Sequence, residues 1–204
     1  MELKDRYAVL KQKVMDRKTS FNRFLNILES ETTWLTSPAS TRFHLAEKQG
    51  LLKHSIGVTE NLLRFREFLA PAITEESCVI VGLFHDAGKL GMPGNPLYLP
   101  NDDEWMVKTR GIHYKINPDV VAMGLAVRSL YLVAQHIHLT DAEAQAIAYH
   151  DGQYIDDNKV IAHKEEPLTL LLHWADYWTA HVYEEGRDKV SPFVINGANY
   201  NQLI

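Results

Sequence analysis

The chain has 204 residues, 46% of them hydrophobic and 23% charged, with eleven Gly and eight Pro. That composition excludes a disordered, collagen-like or low-complexity chain and suits one globular domain. Its 21 Lys and Arg stand against 26 Asp and Glu, a net charge of −5, which argues against a surface that grips long nucleic acid. The longest apolar run, residues 78–84, falls far short of the roughly 20 residues that cross a bilayer as a helix. No continuous apolar stretch follows the charges of the N-terminus, so it does not read as a signal peptide. The only cysteine, Cys78, cannot form an internal disulfide. A cytoplasmic protein is expected.

Residues 3–17 and 20–29 read as charged surface helices with sparse apolar positions, and apolar surface there could support a homo-oligomer. Ser37-Pro38-Ala39-Ser40 has turn chemistry. Between residues 51 and 69, Leu51, Val58, Leu62, Phe65 and Leu69 recur at helical spacing. Thr74 followed by Glu75 and Glu76 predicts an N-cap, opening a helix that runs to Gly88 and is apolar on every side. Residues 91–117 carry Pro93, Gly94, Pro96, Pro100 and Gly111 and read as a long irregular loop, a usual place for function. Helices resume at 118–136 and 141–150, and a last one spans 165–184 with Pro167 in its first turn. From Gly186 the tail is polar. Alternating strands are nearly absent, and the predicted fold class is all-α.

Three helices place a polar residue where the period demands an apolar one. His54 lies in the stripe of Leu51, Val58 and Leu62. Asp176 is in step with Leu168 and Leu172. His85 and Asp86 directly follow Leu83-Phe84. Singly, each His fits a hydrogen-bonded core residue and each Asp a cap or ion-pair partner. Together, with few Lys or Arg beside them, two imidazoles and two carboxylates form a good N/O donor set for a divalent cation, since a buried unpaired carboxylate is costly.

The order His54, His85-Asp86, Asp176 resembles the H…HD…D signature of the HD-domain metal-dependent phosphohydrolases. Gly50-Leu51-Leu52-Lys53-His54-Ser55 is similar to that family's GGLLEHS-type segment, with Gln49 and Lys53 as departures. His85-Asp86-Ala87-Gly88-Lys89 is similar to its HDxGK segment. The resemblance covers about residues 43–184. It implies a single HD-type helical bundle at 43–185, with an N-terminal helical extension at 1–42 packed on it and a C-terminal tail at 186–204. It also implies that His54, His85, Asp86 and Asp176 hold a divalent cation (Mn, Fe, Co, Ni, Zn or Mg) that activates a water for attack on phosphorus. Asp86 would orient or deprotonate that water, and Lys89 would point towards phosphate. Asp86→Ala is then expected to lose metal and activity and to remain folded.

Relatives with two metals need further histidines, for which His113, His136, His138, His150 and His163 are candidates. His150-Asp151-Gly152-Gln153-Tyr154 resembles the HHGQY-like stretch of HD-type 3′–5′ exoribonucleases, with Asp151 in place of the second His. Leu125 stands where those enzymes carry another. These departures favour one metal, with His150 in proton transfer or phosphate contact. His44 is a candidate for the cleft mouth, whereas His173 and His181 are off the register of Asp176. The long loop supplies Tyr98, Trp105, Lys108, Arg110, His113, Tyr114 and Lys115, and Arg128 follows. Aromatics that stack and cations that bind phosphate suit a nucleotide or related small phosphate ester, with Lys89, Arg110, Tyr114, Lys115 and Arg128 as substrate-binding candidates. The expected activity is that of a metal-dependent phosphohydrolase. The alternatives are a binuclear phosphodiesterase or 3′–5′ exonuclease, a di-iron oxygenase and a non-catalytic nucleotide-binding module.

Overall fold

A computed structural model describes residues 2–185 and the backbone of one further strand pair, Val194–Ile195 with Ala198–Asn199. The rest of the expected tail lies outside the described residues. The described chain is mostly helical: α1 (Leu3–Gln12), α2 (Lys18–Glu31), α3 (Gly50–Leu69), α4 (Glu75–Phe84), α5 (Glu104–Arg110), α6 (Leu125–Ala134), α7 (Asp141–Tyr149) and α8 (Pro167–Trp178). No helix among the described residues is long and apolar enough to cross a membrane.

Helix α4 is the centre, as its all-round apolar sequence requires. Thr74 accepts the Ser77 N–H as the predicted cap, and Cys78, Val79, Ile80, Val81, Leu83 and Phe84 are fully buried. Burial pushes the Cys78 thiol up to about 12, so it is inert packing. Helix α3 lies directly along α4. A Cβ on Gly82 would come within 2.9 Å of the Thr59 Cα, so only glycine permits that approach.

The N-terminal helices add Tyr7, Leu10, Phe21, Phe24, Leu25 and Leu28 to the same hydrophobic core. Most of the apolar residues that suggested an oligomer surface therefore point inward, leaving Val9 and Met15 outside. The link between α1 and α2 is clamped by charge. Arg17 donates from Nε to Glu76 Oε1 at 2.6 Å and from both terminal nitrogens to Glu143, each at 2.7 Å. Glu76 also accepts the Met15 and Asp16 N–H groups. Glu143 closes a capping box with Thr140 at the start of α7. One guanidinium thus ties three helix starts together.

Several expected boundaries differ: the first helix stops at Gln12 rather than 17 and the last runs over Pro167–Trp178 rather than 165–184, and three more lie nearer the middle of the chain. Helix α4 ends at Phe84 rather than Gly88, because Asp86 leaves helical geometry and residues 87–90 form a tighter 3-10 turn. That turn is pressed against α6, where Ser129 Oγ accepts the Gly88 N–H at 2.8 Å and a Cβ on Gly88 would meet the Leu125 carbonyl. The stretch 91–117 is not structureless. It folds on itself as β1 (Gly91–Met92) with β2 (Asn95–Pro96), then β3 (Tyr98–Pro100) with β4 (Tyr114–Ile116), α5 lying between these last two. The pairing supplies partners for backbone groups that the prolines keep out of a helix. Finally, α6 begins at Leu125 rather than 118. The Asn117 side chain accepts the Asp119 N–H, and Arg128 takes the Val121 carbonyl, so both groups are diverted from helical pairing.

Candidate metal centre

Five elements bring the polar residues of the apolar faces to one place. His54 comes from α3, and His85 with Asp86 from the end of α4. Lys89 sits in the 3-10 turn, His150 follows α7, and Asp176 lies on α8. All except His85 line a cavity of about 930 Å³, and His85 lies buried beneath, its ring 4.8 Å from that of His150. His54 Nε2 is 3.0 Å from Asp176 Oδ1 and 3.7 Å from Asp86 Oδ2. His85 Nε2 is 3.5 Å from Asp86 Oδ2, and His150 Nε2 is 3.7 Å from Asp86 Oδ1.

The far nitrogen of each imidazole is already engaged. His85 Nδ1 lies 2.8 Å from the Gly82 carbonyl and His150 Nδ1 2.9 Å from that of Ile147. His54 Nδ1 lies 2.8 Å from Glu184 Oε1. A carbonyl or carboxylate partner holds a proton on Nδ1, so that an Nε2 relieved of its own proton turns its lone pair to the site, the arrangement of a metal-ligating histidine. His85 Nε2 is buried with no hydrogen-bond partner at all. Ligand atoms of His54, His85 and Asp86 lie within 4.8 Å of one another, as do those of His85, His150 and Asp176. The donor set fits a divalent cation with imidazole and carboxylate ligands.

These are the residues of a candidate metal centre. Comparison of the chain with known protein families, curated proteins and solved structures finds no match.

The electrostatics show what a cation would replace. Burial opposes charge on His54, but hydrogen bonds to Asp176 and Glu184 outweigh it and raise its pKa to about 10. Burial likewise opposes charge on His150, and Asp86 and Asp151 raise it to about 9. Burial alone dominates at His85, which falls to about 4. Asp86 is held well below the ordinary carboxylate range because Lys89 and the imidazoles overcome its burial. Without a cation, two imidazolium protons and the Lys89 ammonium therefore face the carboxylates of Asp86, Asp176 and Glu184. A cation must displace those protons, so its affinity rises with pH until His54 and His150 lose them unaided, near 9 to 10. Titration with Co²⁺ between about pH 6 and about pH 8 is expected to tighten by roughly ten- to a hundredfold per unit, a decade for each proton released. Affinity flat across that range would overturn these imidazoles as ligands.

The sequence left two features unseen. Asp86 does have a ready partner, since Lys89 Nζ lies 2.6 Å from its Oδ2. Glu184 also joins the site, although α8 alone would not aim it there. Eight residues at about 100° each would leave it about 80° round the helix from Asp176. Residues Thr179–Tyr183 form a wider π-turn, which absorbs one residue and returns Glu184 to within about 20° of that face. His150, expected beside the metal, stands among the ligand atoms. His44 lines the cavity as anticipated, its ring 5.1 Å from that of His54. His173 lines it too, pinned with Nδ1 2.8 Å from the His150 carbonyl.

Other loop candidates go elsewhere. Arg128 is buried, donating to the Gly88 and Val121 carbonyls, and so supports the 3-10 turn after Asp86 from behind. Arg110 lies over the Trp105 ring, and Lys115 pairs with Asp102 on the surface. Tyr114 lies in β4, opposite Pro100. None of the four lines the cavity. Its rim is built instead by Phe43, Tyr154, Tyr177 and His181, with Tyr154 and Tyr177 stacked at 6.1 Å and 6°.

Proposed function

We propose that this protein is an HD-type, metal-dependent phosphohydrolase acting on a nucleotide or related small phosphate ester. One observation carries the reading. Three imidazole Nε2 atoms converge on two aspartates beside an open cavity, and that of His85 has no other partner. A divalent cation in such a site polarises a phosphoryl oxygen and lowers the pKa of a water. Asp86, kept ionised by Lys89, is available to orient that water and take its proton. Lys89 lines the cavity beside Asp86, where its compact ammonium can neutralise phosphate charge. Tyr154, 76% exposed, and Tyr177, 47% exposed, offer aromatic surface at the rim for a planar base.

A second reading, a binuclear phosphodiesterase, is favoured by one feature, the presence of His150 among the ligand atoms. Product analysis separates these. The protein, supplied with Mn²⁺, Co²⁺, Ni²⁺, Mg²⁺ or Zn²⁺, is offered nucleoside mono-, di- and triphosphates, cyclic nucleotides and short oligonucleotides, with Asp176→Ala as control. Phosphate, pyrophosphate or triphosphate release that vanishes in the variant is the expected result. Cleavage of cyclic or internucleotide bonds alone selects the second reading. Silence across the panel with cation bound would overturn both.

A further inference from the structure

On the other side of the His54 ring lies a group of atoms that the quartet does not use. Glu184 accepts from His54 Nδ1 through Oε1, at 2.8 Å. Its side chain is only 9% exposed, yet Oε2 is buried without a partner. His44 Nε2 is also buried without a partner. One ligand atom from each of His44, His54 and Glu184 lies within 4.8 Å of the other two. The loop bearing His44 is held by short-range bonds. The Ala39 N–H donates to the Leu45 carbonyl at 3.0 Å, and Ser40 Oγ donates to the His44 carbonyl at 2.9 Å. These bonds fix the loop backbone, and the His44 ring lies 5.1 Å from that of His54.

A buried carboxylate oxygen and a buried imidazole nitrogen, both orphaned and in residues that bring ligand atoms within 4.8 Å of one another, carry a free-energy cost that a shared ligand would remove. Both residues line the cavity, but the two atoms themselves are buried, and a cation is small enough to sit between such donors. We propose that His44 and Glu184 form a second cation site on the Nδ1 side of His54. His44 Nε2 and Glu184 Oε2 are the protein ligands, and the His54 N–H keeps the carboxylate in position. One imidazole and one carboxylate suit a transition-metal dication better than Ca²⁺. With two protein ligands the site keeps positions open for water or a substrate oxygen, and it fills after the quartet.

Native mass spectrometry of the full chain, equilibrated with excess Co²⁺, counts the ions directly. The expected result is two per chain for the unaltered protein and one for His44→Ala. Glu184→Gln, which preserves volume and the acceptor for His54, is also expected to hold one. A wild-type chain that saturates at one ion, or variants that both keep two, would overturn the second site.

Discussion

Asp86→Asn is expected to lower cation affinity at the quartet by more than about a hundredfold and to bring phosphate release to background, leaving a helical protein. Loss of partners that merely orient metal ligands costs about 10- to 100-fold, and Asp86 does more than that. Its carboxylate approaches the Nε2 atoms of His54, His85 and His150, and it faces Lys89 at 2.6 Å. Asn retains the size and one acceptor for Lys89 but removes the charge. Alanine is the poorer choice. It would strand the Lys89 ammonium, whose side chain is 13% exposed, so lost stability would be mixed with lost chemistry. Calorimetric titration with Co²⁺ and circular dichroism on one sample separate the two effects. A variant that binds as tightly as the wild type and still turns over would remove Asp86 from the site.

The largest effect on stability is expected from Arg17→Ala. The change leaves Glu143, whose side chain is 1% exposed, and Glu76, 10% exposed, without their shared guanidinium. Breaking a buried pair by removing one partner costs about 3–5 kcal/mol, which for a chain of this size lowers Tm by roughly 6 to 20 °C. The pH dependence identifies the cause. Burial acts to raise both glutamates, but Arg17 and neighbouring donors outweigh it and hold them below the ordinary 4.5. A carboxylate whose pKa is depressed by folding contributes fully above its unfolded value, and that contribution fades as pH falls through the folded one. The gap in Tm between wild type and Arg17→Ala is therefore widest near neutrality and narrows below about pH 4.5. A gap that stays constant into acid would assign the loss to packing of the Arg17 stem rather than to its charge.

Neither clamp nor cavity could be read locally. Arg17 looks like any surface arginine in a charged helical segment, and its partners are 59 and 126 residues away. The same limitation affects the substrate candidates. Arg110, Tyr114 and Lys115 lie on a segment rich in aromatics and cations, but that segment pairs with itself and turns its charges to the surface, while Arg128, on α6, donates to backbone carbonyls. Composition shows which groups a loop owns and says nothing of where they point.

Helical periodicity is different, because a polar residue inside an apolar stripe is conspicuous at any distance from its partners. His54 among Leu51, Val58 and Leu62, the His85-Asp86 pair after an all-apolar helix, and Asp176 in the Leu168–Leu172 register were each legible for that reason. Burial then forces such groups to find one another, since each alone would be costly in the core. The mostly helical architecture and the donor set thus belong to the sequence itself. Tertiary structure alone decided that His150 joins the donors, that Lys89 neutralises Asp86, that Tyr154 and Tyr177 build the rim, and that a π-turn swings Glu184 under His54. Those outcomes depend on where helix ends meet and on one residue of register, quantities set by packing between elements rather than by the pattern within any of them.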